Sequence, residues 1–194
     1  MRIIRAKDIQ RTKNWRILIY GKAGLGKTSL IKNMPGKTLV LSLDNSSKVL
    51  AGTENVDIID FDREHPTEFI TEFLTQADNL IKNYENLVID NISSFQSDWF
   101  IEQGRKSKNG ISNELQHYSQ WTNYFLRVLT VIYNKPINIY VTAWEDTQEL
   151  NLETGQILTQ YVPQIRSSVL NQLLGLTDVV GRIVVNAKTG ARGL

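Results

Sequence analysis

Trp15-Arg16-Ile17-Leu18-Ile19-Tyr20-Gly21-Lys22-Ala23-Gly24-Leu25-Gly26-Lys27-Thr28-Ser29-Leu30-Ile31-Lys32-Asn33-Met34 runs from an apolar stretch through a glycine loop into a helical one stopped by Pro35-Gly36. Gly21 to Thr28 spell G-x-x-x-x-G-K-[ST], and strand, loop, helix is the setting in which that pattern cradles phosphate. Glycines let backbone N–H groups turn inward around an anion, and a helix start adds its dipole. The pattern therefore assigns Gly21, Lys22, Ala23, Gly24, Leu25, Gly26, Lys27, Thr28 and Ser29 to a nucleoside triphosphate. Lys27 is placed to reach the β- and γ-phosphates, and the Thr28 hydroxyl to hold Mg²⁺. The alternative, a glycine turn without function, is disfavoured by the flanking strand and helix.

A chain of 194 residues holds one sizeable α/β domain and would cramp two. Its 22 Lys and Arg against 20 Asp and Glu leave a slightly basic balance that neither demands nor excludes nucleic acid. With no cysteine, disulfides and thiolate metal sites are excluded, which suits a reducing cytosol. The segment from Met1 to Asn14 is basic (Arg2, Arg5, Lys7, Arg11, Lys13) but lacks the apolar stretch of a signal peptide. No apolar run reaches the length of a membrane span, so the expectation is a soluble, cytoplasmic protein without membrane contact. His65 and His117 stand apart, so no histidine metal cluster is expected, nor is there a nucleophile triad.

Short apolar runs alternate with helical stretches, the pattern of a mostly parallel sheet covered by helices on both faces. Strands are expected at Lys37–Leu43, Val56–Phe61, Leu87–Ile89, Ile137–Val141 and Val179–Val185. Helices are expected at Thr67–Tyr84, with Pro66 at its start, at Ile92–Gln103 ended by Gly104, at Asn113–Tyr133 and at Val169–Leu174. Thr147 to Tyr161 alternates around Glu153-Thr154-Gly155, as in a β-hairpin. There are no repeats, low-complexity tracts or linkers, so residues 1–194 read as one domain.

A phosphate-binding loop needs a carboxylate for Mg²⁺ at the end of a buried strand. Asp90, after Leu87-Val88-Ile89, is preferred over Asp60, after Ile58-Ile59, because its strand carries no charge and is followed by the helix-capping residues Asn91, Ser93 and Ser94. Hydrolysis also needs a group to orient water. Many such ATPases place a glutamate directly after the metal-binding aspartate, but here Asn91 stands there. Asp44, at the end of Leu39-Val40-Leu41-Ser42-Leu43, is the best remaining candidate; its alternative is a turn aspartate leading into Asn45-Ser46-Ser47.

Taken in order, Gly21 to Thr28, Asp44, Leu87-Val88-Ile89-Asp90-Asn91-Ile92, Ile139-Tyr140-Val141-Thr142-Ala143, the hairpin and Asp178-Val179-Val180-Gly181-Arg182 resemble a RecA-like ATPase. The resemblance spans nearly the whole chain and is strongest to the small bacteriophage ATPases, some of which act in single-strand DNA annealing and recombination. It implies ATP and Mg²⁺ as cofactors, and Thr142 (or more weakly Glu145) as a sensor of the γ-phosphate. An ordinary exposed strand-end threonine is the alternative for Thr142. The family's second strand usually ends in a glutamate; Asp44 is one methylene shorter, and a base must reach its water at about 2.6–3.2 Å. The resemblance further implies a homo-oligomer with nucleotide between subunits, a neighbour supplying positive charge from Lys188 or Arg192, with Arg182 in the same late basic stretch. A solvated basic tail is the alternative.

Arg105, Lys106 and Lys108 lie in a glycine-bounded loop after Trp99 and Phe100, a combination that suits single-stranded DNA through phosphate attraction and base stacking. The alternative is a solvated loop beside two core aromatics. The rings of Tyr118, Trp121, Tyr124 and Phe125 recur at helical spacing and read as core. Three functions remain: a DNA-stimulated ATPase, a nucleotide-gated interaction protein with negligible hydrolysis, and a small-molecule kinase. The last wants an arginine-rich lid, and Arg105 with two lysines is the only comparable stretch.

Overall fold

The computed structural model describes residues 4–9 and 13–194. Arg2 and Arg11 of the basic leading segment lie outside the described residues; Arg5, Lys7 and Lys13 are exposed. Strands β1 (Arg16–Tyr20), β2 (Thr38–Ser42), β3 (Val56–Asp60), β4 (Asn86–Asp90), β5 (Asn138–Ala143) and β8 (Val179–Arg182) form a six-stranded sheet in the order β3-β2-β4-β5-β1-β8. Every neighbouring pair is parallel. The chain is thus α/β with a parallel central sheet, as the alternating pattern predicts.

The core strands alternate between two apolar faces. Leu18, Leu39, Leu41, Leu87, Ile89, Ile139 and Val141 point to one side, where helices α1 (Pro66–Leu80), α2 (Ile92–Arg105), α3 (Leu115–Tyr133) and α4 (Ser167–Gly175) supply the larger core. Phe95 and Trp99 of α2 meet Trp121 and Tyr124 of α3 there, with centroids 5.3–6.2 Å apart. Ile19, Val40, Val88 and Tyr140 face the other side, where Ile31, Leu50 and Ile183 complete a small cluster. Two 3₁₀ turns, Thr28–Asn33 and Ser46–Leu50, cover that side in place of long helices. Strands β6 (Glu145–Asn151) and β7 (Ile157–Pro163) form the expected hairpin, outside the main sheet. No helix among the described residues is long and apolar enough to cross a membrane.

Several boundaries differ from expectation for identifiable reasons. The stretch after the glycine loop is a six-residue 3₁₀ helix starting at Thr28 rather than an α-helix starting at Ser29. Gly104 does not end α2, which runs on to Arg105; the position takes glycine because a Cβ there would come 2.6 Å from the Ile111 carbonyl oxygen. The helix from Thr67 gives way at Leu80 to a 3₁₀ turn, Ile81–Asn83. The run Val179–Val185 is broken at buried Ile183, and its last two residues, β9 (Val184–Val185), pair antiparallel with β10 (Arg192–Gly193). His117 is a capping residue: its Nδ1 accepts from the Glu114 backbone N–H at the start of α3.

Candidate nucleotide and metal site

Four strands end at one edge of the sheet and deliver the site. The loop Gly21–Lys27 follows β1, Asp44 follows β2, Asp90 closes β4, and Thr142 and Trp144 lie at the end of β5. Because β5 separates β1 from β4, Thr142 sits between the glycine loop and the acid strand. Carboxyl ends of parallel strands are where such sheets bind ligands, since the loops there diverge and leave a crevice.

That crevice is a cleft of about 370 Å³ whose lining includes Gly24, Gly26, Lys27, Thr28, Asp44 and Asp90. Gly24 and Gly26 take φ of 78° and 90°, a region open to glycine without a Cβ penalty. Lys27 is 6 % exposed, and its Nζ donates to the carbonyl oxygens of Gly21 at 2.8 Å and Lys22 at 2.9 Å. Burial holds the ammonium below the usual lysine range, against the opposing pull of Asp90, Asp44 and Glu145.

Asp90 is 2 % exposed and gathers three hydroxyls: Thr28 Oγ1 donates to its Oδ2 at 2.6 Å, Ser46 Oγ to the same oxygen at 3.3 Å, and Thr142 Oγ1 to its Oδ1. Burial pushes this carboxyl above the ordinary aspartate range, the hydrogen bonds from Thr142 and Thr28 pull it back, and nearby Asp44 pushes it up again. Asp60 is exposed on the edge strand β3 and lines none of this cleft. Thr142 is fully buried, so it is neither an exposed strand-end residue nor open to the cleft; its hydroxyl orients Asp90.

Asp44 serves two geometries at once. Its Oδ1 accepts from the Ser46 backbone N–H at 2.9 Å, the turn chemistry of its local sequence, while its Oδ2 accepts from Asn91 Nδ2 at 2.5 Å. Asn91 is itself fixed, because its Oδ1 accepts from the Ser94 backbone N–H and caps α2. Sequence reasoning missed Ser46 and Trp144 as cleft residues; the polar run Asn45-Ser46-Ser47 after Asp44 was the available signal for the first. Glu145 is engaged by Arg182, 2.7 Å away, whose guanidinium also lies over the Tyr161 ring.

The late basic residues divide. Lys188 is exposed in the connection between β9 and β10. Arg192 lies against the glycine loop of its own chain, its Nη1 2.6 Å from where a Cβ on Gly26 would stand. In the basic loop after α2, Lys106 pairs with the buried Glu102 at 2.8 Å, and Trp99 is 3 % exposed within the aromatic core, so its ring is not presented to solvent.

The donor set fits a magnesium-bound triphosphate. One lysine faces two carboxylates in the cleft, a balance that repels a bare polyanion and accepts one that brings a divalent cation. Among the described residues no three His, Cys, Asp or Glu side chains form a cage for a metal alone. Mg²⁺ commonly uses one or two carboxylates and completes its shell with phosphate and water, so Asp90 and Thr28 suffice on the protein side.

None of the curated proteins matches the chain. A family model described as an AAA domain matches residues 13–194, a span that contains the glycine loop, Asp44, Asp90 and the β9–β10 hairpin. With its parallel sheet and phosphate-binding loop, the chain belongs to the AAA domain family and is a P-loop NTPase-type domain.

Proposed function

We propose that this protein is an ATP hydrolase of RecA-like, bacteriophage type that acts on single-stranded DNA in recombination or annealing. The observation that supports the reading best is the meeting of Lys27, Thr28, Asp44 and Asp90 on one cleft. Lys27 and the loop amides hold the phosphates and offset charge that grows on the transferred group. Asp90, steadied by Thr142, would hold the metal with Thr28. When bound, Mg²⁺ would neutralise charge on the phosphates. Asp44, held by Asn91 and the Ser46 N–H, orients the attacking water.

Asp44→Ala is expected to lower kcat about 10²–10⁴-fold with little change in the KM for ATP, because a water-orienting group acts only in the transition state. A parallel loss in KM would place Asp44 in nucleotide binding instead. One observation favours a second reading, a nucleotide-gated interaction protein with negligible hydrolysis: both Asp44 oxygens already accept hydrogen bonds from protein N–H groups. Under that reading the wild type binds MgATP, turns over at background rate, and is unaffected by the alanine.

The DNA arm of the proposal rests on Arg105 and Lys108, both exposed, with phosphate attraction rather than Trp99 stacking as the driving term. ATP hydrolysis measured with and without single-stranded DNA tests it; stimulation supports the reading, and equal rates remove DNA from it. Arg105→Glu with Lys108→Glu is expected to weaken DNA binding and reduce its salt slope by about one per lost contact. Lys106 is left intact in that variant, since reversing it would set a carboxylate beside Glu102. The nucleotide is proposed to lie between subunits of a homo-oligomer, with exposed Lys188 as the cation supplied by a neighbour.

A further inference from the structure

We propose that the β6–β7 hairpin of one copy of this chain docks on the basic loop after α2 of a second copy, and that the second copy returns the contact. The hairpin stands outside the main sheet. From Glu145 to Pro163 it carries Glu145, Asp146, Glu149 and Glu153 and no lysine or arginine, in a chain whose formal net charge is +2. Arg182 pairs with Glu145 at the base, whereas Glu149 and Glu153 toward the tip enter no ion pair among the described residues. Leu150 and Leu158 face each other across the two strands, and both are exposed, as is Ile157 beside them. The outer hairpin is therefore an apolar spot flanked by carboxylates.

The loop after α2 has the opposite character. Ile111 and Leu115 are 83 % and 89 % exposed. Arg105 and Lys108 are exposed beside them, and Ile101 opens to solvent one helical turn before Arg105. Gly104, with no side chain, lets the Ile111 backbone close on α2, which keeps these apolar side chains next to the cations. Apolar residues exposed together mark interaction surfaces, and these two surfaces are complementary in sign. Among the described residues no ion pair joins them within one chain, so their charges are free for a neighbour. Arg166, just beyond β7, lies over the Tyr118 ring at 4.5 Å and the Phe100 ring at 5.7 Å, so the hairpin's base and the start of α3 share one end of the molecule. A two-fold axis at that end lets each copy give a hairpin and receive one, which doubles the contact. The same Arg105 and Lys108 serve the proposed DNA contact, so a strand and a neighbour's hairpin exclude each other there.

Sedimentation velocity at low salt tests this, on protein free of DNA and of nucleotide so that a nucleotide held between subunits plays no part. Wild type is expected to form dimers that weaken as salt is raised. Glu149→Lys with Glu153→Lys makes both surfaces basic, and Arg105→Glu with Lys108→Glu makes both acidic. Each of these two variants is expected to self-associate about tenfold more weakly or worse. Mixed in equal amounts they should form a one-to-one complex, because every hairpin then meets a loop of opposite sign; a misfolded variant would not recover on mixing. Leu150→Ser with Leu158→Ser should weaken the dimer while leaving all charges in place. Wild type that stays monomeric, reversals that leave its dimer intact, or reversed variants that ignore each other overturn the contact. So does an Arg105→Glu, Lys108→Glu protein that loses a single-stranded oligonucleotide yet dimerises like wild type, since the loop then belongs to DNA alone.

Discussion

Lys27→Ala and Lys27→Met are expected to lose turnover by about 10²–10³-fold or more, and to lose the thermal stabilisation that MgATP gives the wild type. Among the described residues the ammonium is the only cation lining the phosphate cleft, against Asp44 and Asp90. Its partners within the protein are two carbonyl oxygens of the same loop, so no long-range contact is broken when it goes. Burial already disfavours its charge, which an uncharged side chain relieves. The fold should therefore survive, and melting curves without nucleotide should stay near wild type. A ligand at 100 times its Kd stabilises by about 2.7 kcal/mol, so the comparison with and without MgATP is easily read. Retention of the full MgATP shift in Lys27→Met would remove this lysine from the site.

Asp90→Asn is expected to cost about 10²–10³-fold in magnesium-dependent turnover and to raise the Mg²⁺ concentration needed for half-maximal activity. The carboxylate receives hydroxyl donors from Thr28, Ser46 and Thr142, and an amide replaces one of its acceptors by a donor. Asp60→Asn, changed on the exposed edge strand, is the matched control and should leave activity at wild-type level. The assignment of Asp90 fails if Asp90→Asn keeps the wild-type magnesium dependence.

Much of this was legible because the signals are local. Leu39-Val40-Leu41 and Leu87-Val88-Ile89 are continuous apolar runs, and runs of that length buried on both faces are what parallel strands require. Gly24 and Gly26 advertise backbone conformations that other residues resist. Boundaries that depend on distant neighbours were not legible. Gly104 reads as a stop, yet its lack of a side chain answers to the Ile111 carbonyl. Trp99 beside Arg105, Lys106 and Lys108 leaves a stacking surface and a core aromatic both open in the sequence, and α3 closing over the ring decides for the core. Thr142 reads as a strand-end hydroxyl, and only the pairing of β4 with β5 turns it under Asp90.

The amino-acid order alone determined the α/β class, the phosphate loop, and Asp44 and Asp90 as acids at strand ends, because each depends on side-chain period or backbone freedom within a few residues. The folded arrangement decided which groups share the cleft: Thr28 meets an aspartate 62 residues away, Asn91 clasps Asp44, and Arg192 comes to rest on Gly26. Such meetings follow from strand order and loop closure. These are set by how the two apolar faces of the sheet are buried, and no local pattern encodes them.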